Sequence, residues 1–142
     1  MQTVNQLLQR KGYDVATIDS SVSVFEALKI MAEKGIGSLV VQENAKIVGL
    51  FSERDYARNV ILKGRTSKDT RVQEIITSQV IVVNPDQTVE ECMAIMTDKR
   101  IRHLPVMKDN ELIGIISIGD LVKAIIEEQQ FVIEQLVSYI NG

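Results

Sequence analysis

The chain repeats itself at an offset of 65 residues, and that constrains its fold more than any other feature. The offset carries Gly49 onto Gly114, Ser52 onto Ser117 and Asp55 onto Asp120. It also carries Val24 onto Val89, Glu26 onto Glu91, Met31 onto Met96, Lys34 onto Lys99, Leu39 onto Leu104 and Val41 onto Val106. The register holds without a gap from about Val15 to Ile126. Two copies are too few for a solenoid. A half of ~60 residues buries little apolar surface alone, so the copies are expected to pack sheet to sheet about a pseudo-two-fold axis.

Each copy follows one grammar. Ala16-Thr17-Ile18 and Val80-Ile81-Val82-Val83 are short β-branched runs, read as strands. Ser23 with Glu26, and Thr88 with Glu91, have capping-box spacing, the hydroxyl capping a helix start and the glutamate reaching back. Apolar residues then recur at helical spacing, at Val24, Ala27, Leu28 and Met31, and at Val89, Cys92, Met93 and Met96. Gly37 to Val41 and His103 to Met107 read as second strands. The polar turns Gln42–Lys46 and Lys108–Glu111 lead to third strands, Ile47 to Phe51 and Leu112 to Ile116, giving hairpins. Helices follow from Glu53 and from Ile118. The unit is β-α-β-β-α and the class is α/β in the broad sense (α+β).

The boundaries follow from the repeat. Residues 1–14 are a lead-in helix, 15–62 the first copy, 63–71 a polar linker, 72–126 the second copy and 127–142 a helical extension. Val4, Leu7 and Leu8 resemble Val72, Ile75 and Ile76, so each copy is expected to be preceded by a helical turn or two. Leu121, Ile125, Val132, Leu136 and Ile140 predict a long last helix, with Gln129-Gln130 as its candidate break. So long an apolar stripe needs a cover, and self-association is the natural one.

Composition excludes several functions. The formal charge is −3 and the pI near 5.2, which argues against a nucleic-acid partner. Apolar runs are too short to span a bilayer, and the N-terminus does not read as a signal peptide. The single cysteine, Cys92, fits a helix core and a reducing compartment, so a cytoplasmic location is expected. One histidine, one cysteine, no metal-ligand cluster and no nucleophile elbow argue against an enzyme; no catalytic residue, metal site or catalytic cofactor is assigned.

The Ser-x-x-Asp junctions have two readings. Ser52 and Ser117 are N-caps, with Asp55 and Asp120 in the first helical turn facing the positive end of the dipole. Equally, a helix start favours anions, a serine hydroxyl donates to phosphate, and a carboxylate accepts from a vicinal diol such as ribose. Both readings need the same geometry, so spacing does not choose between them. Arg54 lies inside the first junction. Gly119 lies inside the second, where a missing side chain lets a phosphate approach. Arg102-His103 opens the second strand of the second copy, and Pro105 marks that strand as an edge or as interrupted.

A tandem β-α-β-β-α repeat with Gly-apolar-apolar-Ser-x-x-Asp at both junctions, and with Gly-Ile-Gly-Ser-Leu-Val-Val and Arg-Ile-Arg-His-Leu-Pro-Val-Met as second strands, resembles a pair of CBS domains (a Bateman module) of the stand-alone bacterial type. The resemblance implies two clefts between the copies, a non-catalytic regulatory role, and ligands such as AMP, ADP, ATP, NAD(H) or S-adenosylmethionine. Residue by residue, it implies that Asp55 and Asp120 hold ribose. Ser52, Arg54, Ser117, Arg102 and His103 would serve phosphate. Thr17-Ile18, Gly37-Ser38, Ile81-Val82 and Leu104-Pro105 would line the base. Where the second copy has Arg102-His103 the first has Gly37-Ser38, so the second is expected to be the better phosphate site. The implied partners are a second copy of the chain and a protein effector of unknown identity. A ligand-free dimerisation or scaffold module is the alternative.

Overall fold

The computed structural model describes residues 2–76 and 79–141; Met1 and Gly142, the ends of the lead-in and of the extension, and Thr77-Ser78 lie outside it. The chain divides into two compact units, one of Val15–Ile81 and one of Met1–Asp14 with Val82–Gly142. Its architecture is mixed α+β, small sheets with helices.

In the first unit, β1 (Thr17–Asp19), α2 (Val24–Lys34), β2 (Ser38–Glu43), β3 (Lys46–Ser52) and α3 (Glu53–Tyr56) follow α1 of the lead-in (Val4–Lys11). The sheet order is β1-β2-β3. β1 runs parallel to β2, with Thr17 opposite Val40 and Ile18 opposite Val41. β2 is antiparallel to β3, with Ser38 opposite Ser52. The hairpin turns on Asn44 and Ala45, both at positive φ, the two-residue geometry whose twist matches that of the strands. Ile18, Val24, Ala27, Met31, Leu39, Val41, Phe51 and Val60 form the core, joined by Val72 and Ile75 from the short 3₁₀ turn Val72–Glu74. Each fully buried large side chain contributes about 1.5–3 kcal/mol.

In the second unit, α4 (Val89–Lys99), β4 (His103–Lys108), β5 (Glu111–Ser117) and α5 (Ile118–Asn141) repeat the order. The β4–β5 hairpin keeps the register of β2–β3. His103 faces Ser117, the turn is Asp109-Asn110 at positive φ, and a bulge falls at Val106/Met107 as it does at Val41/Gln42. Helix α1 lies against this hairpin, closely enough that a Cβ on Gly114 would sit 2.9 Å from Leu8 Cδ2. A side chain at Gly114 would displace the buried Leu8 side chain.

The expected strand Val80–Val83 is not formed; it contracts to one bridge, Val83 with Val106. The reason is one residue. In the first unit the Val40 N–H donates to the Ala16 carbonyl at 3.0 Å, which lets the ladder run the length of β1. Pro105 occupies the equivalent place in β4 and has no N–H to give. Only the bonds flanking Val83 survive, Val83 N–H to the Pro105 carbonyl (3.0 Å) and Met107 N–H to the Val83 carbonyl (2.9 Å).

Two further expectations are corrected. Ser23 and Thr88 do accept from the N–H groups of Glu26 and Glu91, both at 3.1 Å. Among the described residues the reciprocal glutamate bonds are not made. Val24 N–H instead donates to the Thr70 carbonyl (2.8 Å) and Val89 N–H to the Gln2 carbonyl (2.9 Å), so the chain leading into a 3₁₀ or α-helical turn docks on each helix start. The last helix runs unbroken through Gln129-Gln130. Glutamine is a good helix former. The corresponding break is in the first copy: five π-helical residues, Ala57–Ile61, follow α3, and the chain then turns at Gly64, φ 71°.

Candidate functional site

The two hairpins deliver the predicted residues to the two junctions. In the second unit, antiparallel register sets His103 across from Ser117, and the first N–H of α5, from Ile118, donates to the Arg102 carbonyl at 2.9 Å. Arg102, His103, Ser117, Gly119 and Asp120 therefore share one end of the hairpin. Leu104 and Pro105 are buried one and two residues further along β4. An added Cβ on Gly119 would meet only Ser117 Oγ, at 3.6 Å, so this position is open on its outer side. Val82 is exposed beside the bridging Val83.

In the first unit the same register brings Gly37, Ser38, Ser52, Arg54 and Asp55 together. Ser38 pairs with Ser52, and Glu53 N–H donates to the Gly37 carbonyl at 3.3 Å. Thr17 and Ile18 lie on the neighbouring strand, opposite Val40 and Val41. Ile81 closes this unit in sequence and is half-buried.

Both aspartates serve as reciprocal caps. Ser52 N–H and Oγ–H donate to Asp55 Oδ2, each at 2.9 Å, and Asp55 N–H donates back to Ser52 Oγ at 3.3 Å. Ser117 N–H donates to Asp120 Oδ2 at 2.8 Å, and Asp120 N–H to Ser117 Oγ at 3.1 Å. This satisfies helix-start donors that would otherwise need water.

Among the described residues, the second junction has a charged partner that the first does not. Lys11, the last residue of α1, places Nζ 2.6 Å from Asp120 Oδ2 and donates to the Ile115 carbonyl at the same distance. Burial pushes the Asp120 carboxyl up, but the Lys11 and Ser117 hydrogen bonds and the lysine charge outweigh it and hold the group below its ordinary range. Asp120 is thus an anion at neutral pH. Sequence reading missed Lys11, which lies 109 residues from Asp120; its only local trace is a basic last turn, Arg10-Lys11, on a short amphipathic helix.

Two grooves flank the start of α5. One, of about 710 Å³, is lined by Arg102, Ile118, Gly119, Val122 and Lys123. The other, of about 370 Å³, is lined by Leu7, Arg10, Lys11, Asp120 and Lys123. Among the described residues no cluster of three or more His, Cys, Asp or Glu could hold a metal, and no helix is long and apolar enough to cross a membrane. Cys92 is buried, and desolvation, aided by Glu91, pushes its thiol up to about 11. It is a neutral core residue at physiological pH.

Comparison with known proteins agrees with this architecture. The CBS domain model matches the chain twice, over residues 5–61 and 72–127. A mitochondrial CBS domain-containing protein of Arabidopsis thaliana, CBSX3, is 38% identical over 151 residues, covering 99% of this chain and 72% of the relative. A solved CBS-domain protein of Burkholderia ambifaria MC40-6, assigned to signal transduction, superposes with a TM-score of 0.86 at 50% identity, covering 90% of this chain and 96% of that one. The CBS domain pair of protein MJ0100, solved with 5′-methylthioadenosine and S-adenosyl-L-methionine, superposes with a TM-score of 0.78 at 25% identity, covering 90% and 98%. With its two matched repeats and its tandem-pair fold, the chain belongs to the CBS domain family.

Proposed function

We propose that this chain is a non-catalytic regulatory module that binds an adenosine-containing ligand, of the class AMP, ADP, ATP or NAD(H), at its Ser-x-x-Asp junctions. The observation that carries the reading is the second junction. There a carboxylate held in its charged form, a serine, an arginine and the chain's one histidine converge beside an open glycine. The bonds from Lys11 and Ser117 both fall on Asp120 Oδ2, leaving Oδ1 to accept from a ribose hydroxyl. Ser117, Arg102 and His103 serve the phosphate, and Ile81, Val82, Leu104 and Pro105 the base. In the first copy Asp55, Ser52, Arg54, Thr17, Ile18, Gly37 and Ser38 take the corresponding roles. An adenosine-derived pair of ligands in a related CBS pair supports the class. The single buried cysteine suits a reducing compartment such as the cytoplasm. The exposed apolar face of α5, including Ile133, Leu136 and Ile140, suits a homodimer that passes the ligand signal to a protein effector.

One observation favours a second reading, a ligand-free scaffold: both aspartates already have structural work as caps. A thermal-shift panel of AMP, ADP, ATP, NAD, NADH, S-adenosylmethionine and GTP separates the two. Ligand at a hundredfold excess over its Kd stabilises by about 2.7 kcal/mol, a rise on the order of 5–10 °C for a chain of this size. A rise with adenosine compounds and not with GTP supports the sensor. No rise with any compound at millimolar concentration makes the junctions caps alone.

A further inference from the structure

The groove beside Asp120 carries a charge arrangement that bears on which adenosine ligand fits. Its acids are already matched: Arg10 pairs with Glu127 at 3.2 Å and Lys11 with Asp120 at 2.6 Å. Lys123 lines this groove and also the neighbouring one that contains Arg102, and among the described residues it has no ion-pair partner. The groove therefore holds one positive charge in excess. Lys11 adds a directional donor. An ammonium has three N–H groups; two are spent on the Ile115 carbonyl and Asp120 Oδ2, and the third has no partner among the described residues. A group bound at Asp120 thus meets an unspent ammonium N–H and an unmatched lysine, at the positive end of a 24-residue helix.

We propose that Lys11 and Lys123 form an anion subsite beside Asp120, so that the second copy selects phosphorylated adenosine ligands over adenosine itself and over S-adenosylmethionine. The selection is electrostatic. A phosphate gains charge-assisted hydrogen bonds from the lysines, a hydroxyl gains only neutral ones, and a sulfonium brings a like charge. Lys11 comes from the lead-in helix, ahead of the stretch over which the 65-residue register holds, so the ligand class is set in part by an element that this register does not carry. The proposal rests on the adenosine reading above.

The test is calorimetry on the full chain with AMP, adenosine, S-adenosylmethionine and inorganic pyrophosphate, for the wild type, Lys11→Met, Lys11→Arg and Lys123→Met. The wild type is expected to bind AMP about tenfold or more tighter than adenosine or S-adenosylmethionine. Lys123→Met is expected to weaken AMP by about that factor while leaving adenosine nearly unchanged; Lys11→Met is expected to weaken both, AMP by the larger factor, because Lys11 also holds Asp120; and Lys11→Arg is expected to retain the preference. Lys123 makes no ion pair among the described residues, so its variant keeps the test valid if Lys11→Met melts early. Equal loss of AMP and adenosine overturns the proposal, because the lysines then act only through Asp120. Equal binding of AMP and S-adenosylmethionine by the wild type also overturns it. If no adenosine compound binds, pyrophosphate decides: binding that disappears in the Met variants keeps the anion subsite and removes the adenosine reading, and no binding removes both.

Discussion

In the proposed function Asp120 has two duties that can be separated by measurement. As a ribose acceptor, its loss removes hydrogen bonds to a charged group worth about 1.5–3 kcal/mol each. Asp120→Ala should therefore weaken adenine-nucleotide binding by about tenfold to a hundredfold, as read by calorimetry. As a cap it contributes only about 1 kcal/mol, so the fold should persist in the same variant. Acid should show the structural duty. The native pKa of Asp120 lies below its unfolded value of about 3.9, so its contribution is fully present above that value and is lost as the pH falls through the native one. Melting temperatures of the wild type and Asp120→Asn, followed from pH 7 to pH 3, should converge in acid; a constant gap would mean that the carboxylate charge adds nothing. A second residue carries a cost that the repeat itself exposes. Helix α2 ends on Gly35 at φ 63°, and α4 ends at the equivalent position on Arg100 at φ 55°. A side chain in that left-handed region is strained. Arg100→Gly should raise stability by about 0.5–1 kcal/mol in urea unfolding.

Among the elements, α5 departs furthest from the repeat. The first copy stops its last helix within a few turns at Gly64, whereas the second has Gln129 there and continues to Asn141. Past Ala124 no described residue of the helix is fully buried, and Phe131, Ile133, Leu136 and Ile140 are all at least half exposed. If a second copy covers this face, Leu136→Lys with Ile140→Lys should shift sedimentation from dimer towards monomer without lowering ligand affinity in the monomer. An unchanged dimer would place the interface on another surface. Element identity was largely legible in the sequence: hairpins from polar turns between apolar runs, helices from hydroxyl caps and 3.6-residue spacing. Val80–Val83 escaped because its β-branched composition says strand, while strand formation depends on a donor that its partner, through Pro105, does not have.

At the scale of the whole molecule, the lead-in helix groups with Val82–Gly142, and Val72 and Ile75 group with the first copy. Deleting residues 2–12 removes the buried Val4, Leu7 and Leu8, the last of which lies against Gly114 of β5, along with the Gln2 carbonyl that docks α4. Hydrogen exchange should then quicken in β4 and β5 more than in β2 and β3. Equal change in both hairpins would show that α1 supports the copies alike. The sequence by itself determined the repeat, the helix starts, the hairpins and the family, because periodicity, capping and turn chemistry act between residues that are near neighbours along the chain. The tertiary structure alone decided which lead-in serves which copy, and so brought Lys11 to Asp120. Val4-Leu7-Leu8 and Val72-Ile75-Ile76 are nearly interchangeable as apolar stripes; burial rewards area and not identity, so the choice between them is made by the surfaces that meet in the folded chain.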